Sequence, residues 1–179
     1  IRFNDNQRYV KLPKLGWVKC RMSVPHIENE RIKSVTIKQK PSGKYTISVL
    51  VTSENQTLPK THQTVGIDLG VSDFVITSDG HKYRSQRLHL KYQKQLHVWE
   101  KRMARRRLRA KAEYKSLSET KNYQKARQQV ARIHEKIAHT RKDYIHKITT
   151  DLVKNYDVIV IEDLKTSNLL KNHHLARSI

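Results

Sequence analysis

Between Arg87 and Lys142 the chain holds neither glycine nor proline, so nothing in that segment breaks a helix through its backbone. Within it Leu88, Tyr92, Leu96, Trp99 and Met103 recur at the spacing of one helical face. Ala126, Val130, Ile133, Ile137, Tyr144, Ile148 and Leu152 trace a second stripe of the same period. The spacing predicts two helices with a break around Tyr114 to Asn122, folded back as a hairpin over residues 87–142. That segment also holds 18 Lys or Arg against 4 Glu, which places +14 of the whole chain's +21 on the helices.

A chain with 37 basic and 16 acidic residues repels itself unless a polyanion neutralises it, and DNA or RNA is the polyanion that fits. The charges from Arg102 onward do not alternate in sign as a solvated helix face usually does. Arg102, Arg105, Arg106, Arg107, Arg109 and Lys111 are therefore the candidate phosphate contacts. An anionic membrane would call for a strongly apolar helix face or a long apolar run, and the sequence offers neither, so no membrane partner is expected.

Apolar residues make up 36% of the chain, a lean share that supports one domain of ordinary size or two small ones. The single cysteine, Cys20, closes no internal disulfide and supplies no paired Cys-x-x-Cys zinc site. It reads as a packed small apolar group. With no signal peptide, a reducing, cytoplasmic compartment is expected. The chain starts at Ile1 rather than Met and reads as a fragment.

Residues 1–62 read as a β-rich module. Strands are expected at Tyr9–Leu12, Trp17–Val24, Arg31–Lys40 and Tyr45–Thr52, with a hairpin turn at Pro41-Ser42-Gly43. Tyr45, Ile47, Val49 and Val51 would share one face of the last strand. Tyr9, Trp17 and Tyr45 are assigned to core packing ahead of base stacking. Ser53 to Thr64, polar and containing Pro59, reads as a linker.

From residue 63 onward a second sheet begins at Val65-Gly-Ile-Asp-Leu-Gly70, continues through Phe74-Val-Ile-Thr77, turns at Asp79-Gly80 and returns through His81-Lys-Tyr-Arg84. After the helices, Asp157-Val-Ile-Val-Ile-Glu162 reads as a central buried strand ending in an acid. Returning by way of the helices, that strand would lie parallel to the first and bring Asp68 beside Glu162. Each acid interrupts or ends an apolar run, where burial without a partner is costly, and a shared divalent cation would stabilise both. Mg²⁺, a hard ion that prefers oxygen, suits two carboxylates, and Mn²⁺ can substitute. Two such ions about 4 Å apart can activate a water and stabilise the leaving oxygen in phosphodiester hydrolysis. A single acid at a strand end can also cap a turn or pair with an arginine. Two in this topology favour the metal.

The run Val65 to Val71 (VGIDLGV), followed by Val158 to Leu164 (VIVIEDL), resembles the first and second RuvC motifs of the TnpB (OrfB) proteins of bacterial insertion sequences, relatives of the type V CRISPR nucleases. The likeness extends through Leu12-Pro-Lys-Leu-Gly-Trp17, His134-Glu-Lys-Ile-Ala138, Arg141-Lys-Asp-Tyr144 and Leu169-Leu-Lys-Asn172, nearly the whole chain. The resemblance implies a fold of α/β plus β: an N-terminal β-rich, wedge-type, OB-like module over 1–62, then over 63–179 part of an RNase H-like (RuvC) nuclease core with the basic hairpin inserted. It implies an RNA-guided DNA endonuclease of a transposable element, often described as a transposase, whose partners are guide RNA and target DNA. Asp68 and Glu162 match the family's first two catalytic acids. The third, an Asp, follows a four-cysteine zinc ribbon, and both are expected beyond residue 179, as a helical recognition insert is expected before residue 1. Whether the chain is itself an enzyme stays open on that account.

Two rivals accompany this reading. One is a nucleic-acid-binding fragment or degenerate relative that cuts nothing. The other is a transposase that joins DNA strands, which no residue distinguishes from a hydrolase. Asp163 reads as a turn or cap residue, Asp73 and Asp79 as turn residues, and His173-His174 as a solvated tail or phosphate contact.

Overall fold

The computed structural model describes residues 1–23, 31–54, 57–164 and 171. The chain is mixed α/β and divides into two compact units, Ile1–Thr57 and Leu58–Ile179.

In the first unit β1 (Arg2–Phe3), β2 (Tyr9–Leu12) and β3 (Gly16–Lys19) form an antiparallel sheet in that order, and β4 (Ile32–Gln39) pairs with β5 (Tyr45–Val51) as a second, two-stranded sheet. Strand alternation sends Phe3, Val10 and Leu12 to a core against which Val18, Cys20, Met22, Ile32, Ile47 and Val49 pack. The hairpin at Pro41-Ser42-Gly43 forms as expected, with Gly43 at φ 83°, a conformation that costs an L side chain energy. The two-residue β1 is too short to show a period and was not foreseen. β3 ends at Lys19 rather than Val24, and Val24 lies outside the described residues.

One expectation fails in this unit. Tyr9, Trp17 and Tyr45 are not core residues: they are 40%, 52% and 66% exposed. For Tyr9 and Trp17 the reason is phase. Val10 and Leu12 claim the inner side of β2, so Tyr9 points away, and Trp17, opposite Lys11 in the register, follows it.

The second unit opens with β6 (Thr64–Asp68), β7 (Asp73–Thr77) and β8 (Lys82–Arg84), continues through α1 (Leu88–Ala112) and α2 (Lys121–Asn155), and closes with β9 (Val158–Ile161). Sheet order is β8-β7-β6-β9, antiparallel except for the β6–β9 pair, which is parallel. The helices separate over residues 113–120, close to the break expected around Tyr114 to Asn122. α2 is continuous past residue 142, to Asn155, because its apolar stripe serves two surfaces in succession. Ile133 and Ile137 pack with Leu88, Tyr92, Leu96 and Trp99 of α1; Tyr144, Ile148 and Leu152 pack on the sheet with Val75, Ile67 and Ile159. At about 1.5 Å per residue, a helix of 35 residues is long enough to leave its first half as an arm for α1.

Tyrosine hydroxyls tie α2 to the sheet: Tyr144 donates to the Arg84 carbonyl, Tyr83 to Asp151, and Tyr156 to Asp79. Asp79 is the turn residue the sequence suggests, whereas Asp73 begins β7 opposite Arg84. Donors from Thr77, Tyr156 and the His81 amide hold the Asp79 carboxyl down at about 2, against an ordinary 3.8. A depressed carboxyl contributes stability above its unfolded pKa and loses it as pH falls through its folded pKa. Melting wild type and Asp79→Asn from pH 5 down to about 2 should therefore show the wild-type advantage intact at pH 5 and vanishing toward the acid end. A constant difference would separate Asp79 from the acid response.

β9 corrects a second expectation. Among the described strands it lies at the edge of the sheet, not its centre, and Val158, Val160 and Ile161 are 51%, 57% and 61% exposed. β6 has a neighbour on each side, while β9 pairs only with β6 among the described strands. No helix among the described residues is long and apolar enough to cross a membrane.

Candidate catalytic and nucleic-acid-binding site

The parallel register pairs Gly66 with Val160 and Ile67 with Ile161, so the next residues, Asp68 and Glu162, follow on at the ends of neighbouring strands. Ile67 and Ile159 pack toward α2, so the alternation puts the two carboxylates on the opposite side of the sheet. Both line one shallow cleft of about 480 Å³ together with Gly66, Ile76, Ser78 and Val160. Parallel neighbours stand about 4.8 Å apart, a spacing at which two carboxylates can share one ion.

Backbone chemistry builds this end of the sheet. Ser78 and Gly66 exchange bonds, the Ser78 amide donating to the Gly66 carbonyl at 2.8 Å and the Gly66 amide to Ser78 Oγ at 3.1 Å. Just past Asp68 the chain turns so tightly that a Cβ on Gly70 would meet the Asp73 carbonyl oxygen at 2.7 Å, so only glycine fits.

Asp68 and Glu162 are both exposed. The expectation that burial strains their charges is thus corrected: Asp68 ends β6 and Glu162 directly follows β9 at the rim, where water reaches both. What remains is a pair of oxygen donors open to a hydrated cation. Among the described residues no cluster of three or more His, Cys, Asp or Glu could hold a metal. Asp163 lies beyond the strand end, exposed, with the Leu164 amide donating back to the Glu162 carbonyl. His173 and His174 lie outside the described residues.

The sequence reading missed Asp157. Its carboxylate accepts from the Thr61 amide (3.0 Å), the Thr61 hydroxyl (3.2 Å) and the His62 amide (2.8 Å), while its own amide donates to the Gln63 carbonyl. Those bonds hold its carboxyl below the usual range, the Thr61 amide contributing most. They also clamp the entry of β6 to the entry of β9, setting the register that brings Asp68 level with Glu162. The signal was present, an acid directly ahead of a β-branched run, but its partner lies 96 positions away.

On the hairpin Arg102, Arg105, Arg107, Arg109 and Lys111 are exposed and Arg106 half-buried. Their roles divide. Arg106 donates to the Asn122 carbonyl at 2.7 Å, joining α1 to the start of α2, and Arg102 lies over the Trp99 ring at 4.8 Å. Lys115 and Arg109 both bind Glu113 at 2.8 Å, and Lys115 foremost holds that carboxyl down at about 2. Arg105, Arg107 and Lys111 make no such bond among the described residues and are exposed on the basic helix.

The second unit is thus a mixed α/β unit whose parallel strand pair is joined by a long basic helical hairpin. The family profile described as "Probable transposase" (OrfB_IS605) matches residues 46–173. The chain is 34% identical over 173 residues to the "Putative RNA-guided DNA endonuclease InsQ" of Escherichia coli (strain K12), covering 96% of this chain and 40% of the relative. It is 36% identical over 162 residues to the "Putative RNA-guided DNA endonuclease" of Streptomyces pristinaespiralis, covering 89% of this chain and 37% of the relative. The chain belongs to the OrfB (TnpB) transposase family, as its motifs suggested, and spans about two fifths of the length of the curated relatives it matches.

Proposed function

We propose that this chain forms part of the nuclease core of an RNA-guided DNA endonuclease of a transposable element, with guide RNA and target DNA as its partners. Residues from Leu58 onward act as the RuvC-like, RNase H-like portion and the first unit as a wedge-type, OB-like nucleic-acid-binding module. The observation that carries the reading is that Asp68 and Glu162 each directly follow the last register pair, Ile67 with Ile161, of adjacent parallel strands and line one cleft. Their exposed oxygens fit Mg²⁺ or Mn²⁺, which keeps several waters and so needs few protein ligands. When bound, the metal would supply charge stabilisation and an activated water for phosphodiester hydrolysis. Asp68 and Glu162 would hold it, Gly70 leaves room for the turn beside it, and Asp157 acts as a positioning residue through the strand register. Arg105, Arg107 and Lys111 hold the phosphate backbone.

Titration with Mn²⁺ tests this reading. The chain should bind the ion, and Asp68→Asn and Glu162→Gln should each weaken binding by on the order of tenfold or more, since each removes one of two charged donors. Equal affinity in all three proteins would remove the metal from this cleft. Asp157→Ala should also weaken Mn²⁺ binding, by on the order of tenfold, the low end for residues that hold ligands in place. Faster exchange of the β6 and β9 amides should accompany that loss; loss of metal with unchanged exchange would rule out the register as its cause.

A second reading, a chain that binds nucleic acid without cutting it, is favoured by one observation: two carboxylates and no third at the cleft among the described residues.

A further inference from the structure

The outer face of the three-stranded sheet carries five side chains that the functional reading leaves unused: Arg2, Tyr9, Lys11, Trp17 and Lys19. Register pairs Arg2 with Lys11, Lys11 with Trp17, and Tyr9 with Lys19. Their neighbours Phe3, Val10, Leu12 and Val18 turn inward to the core, so these five project together on the other side, and all are exposed. No acid occupies a strand position on this face. Each aromatic ring stands across from a lysine, and the two rings lie on a diagonal with Cα atoms roughly 7 to 8 Å apart.

Cations interleaved with open aromatic rings form the pattern on which single-stranded nucleic acid is held, rings taking bases and cations taking phosphates. We propose that this face binds unpaired RNA, with Trp17 and Tyr9 stacking on bases and Arg2, Lys11 and Lys19 contacting the adjoining phosphates. Charge complementarity selects a polyanion. The rings then select one whose bases are free: a DNA duplex keeps its bases stacked inside, whereas the loops and ends of a folded RNA offer them. This inference rests on the reading of the chain as a guide-RNA binder and adds a base-contacting surface to the phosphate contacts of the helices.

The chain has two tryptophans, so Trp99→Phe leaves Trp17 as the only reporter. In that background, an unstructured single-stranded RNA of about 20 nucleotides, longer than a typical single-strand site, should quench Trp17 emission on binding. A DNA duplex of the same length should bind through phosphates and leave the emission unchanged. Tyr9→Ala with Trp17→Ala should weaken RNA binding roughly tenfold or more. The salt slope should stay as it was, because lost stacking releases no counterions. Trp17→Phe should restore most of the affinity. Lys11→Gln with Lys19→Gln should instead flatten the slope by about 1 to 2.

The side chains replaced are exposed, and matching circular dichroism checks that the sheet persists. RNA binding with unquenched Trp17 and an unaffected double variant would overturn the inference. Equal quenching at lower concentrations of single-stranded DNA would overturn the choice of RNA. If the helical variants lose RNA while Tyr9→Ala with Trp17→Ala does not, this inference falls and the functional reading stands; if no form of the chain binds RNA, both fall.

Discussion

Replacing Arg105, Arg107 and Lys111 together by alanine is expected to cost on the order of a hundredfold in RNA affinity at about 0.1 M salt, and to flatten the salt dependence. Each phosphate neutralised on a single strand contributes a slope of about −0.7 in log K against log salt, so three lost contacts remove about 2 from the slope. The choice of these three comes from the structure. Arg106 and Arg109 belong to the same cluster, yet Arg106 is bound to the Asn122 carbonyl and Arg109 to Glu113. Arg106→Ala with Arg109→Ala should therefore lower the melting temperature of the hairpin while changing the slope less. Binding isotherms at four or five salt concentrations for wild type and both variants provide the measurement. An unchanged affinity and slope in the triple variant would show that these charges face solvent alone.

Given Mg²⁺ or Mn²⁺, guide RNA and target DNA, the 179-residue chain is expected to bind nucleic acid and to cleave little or none of it. Two carboxylates can recruit one hydrated ion, but holding a second in line with the scissile phosphate generally asks for a further acidic ligand. The cleft supplies no third among the described residues. An attacking water displaced by about 1 Å already loses on the order of a hundredfold in rate. The assay runs beside Asp68→Ala, which separates the chain's own activity from contaminating nuclease. Robust cleavage that disappears in that variant would sink the expectation of inactivity and at the same time establish Asp68 as catalytic. A chain that cuts equally with and without Asp68 would move catalysis away from this cleft.

The local periods were sufficient to read the helices, because a 3.6-residue stripe of large apolar side chains is a property of the segment itself. Leu88, Tyr92, Ile133, Ile148 and Leu152 all stand in the stripes the sequence shows and all are buried. The order of elements likewise implied that the strand before Glu162 would lie parallel to the strand before Asp68, since a return through helices leaves few other paths. The motifs around those acids were sufficient to recognise the family.

Tertiary structure decided what depends on partners distant in sequence. An unbroken apolar run from Val158 to Ile161 looks the same whether it ends at the centre or the edge of a sheet, and only the strand order placed it at the edge of the described strands. Tyr9 and Trp17 satisfy the pattern of a core residue as well as that of a stacking platform, and only the register of β2 against β3 sent them to solvent. Arg105 and Arg106 are adjacent in sequence and equal in charge. The fold separates them because a carbonyl on the second helix lies within reach of one and not the other. Asp157 stands ahead of a β-branched run in the sequence, but its hydrogen-bond partners appeared only once residues 61 and 62 lay beside it. A side chain's type travels with the sequence, but its partner exists only after the chain has closed on itself.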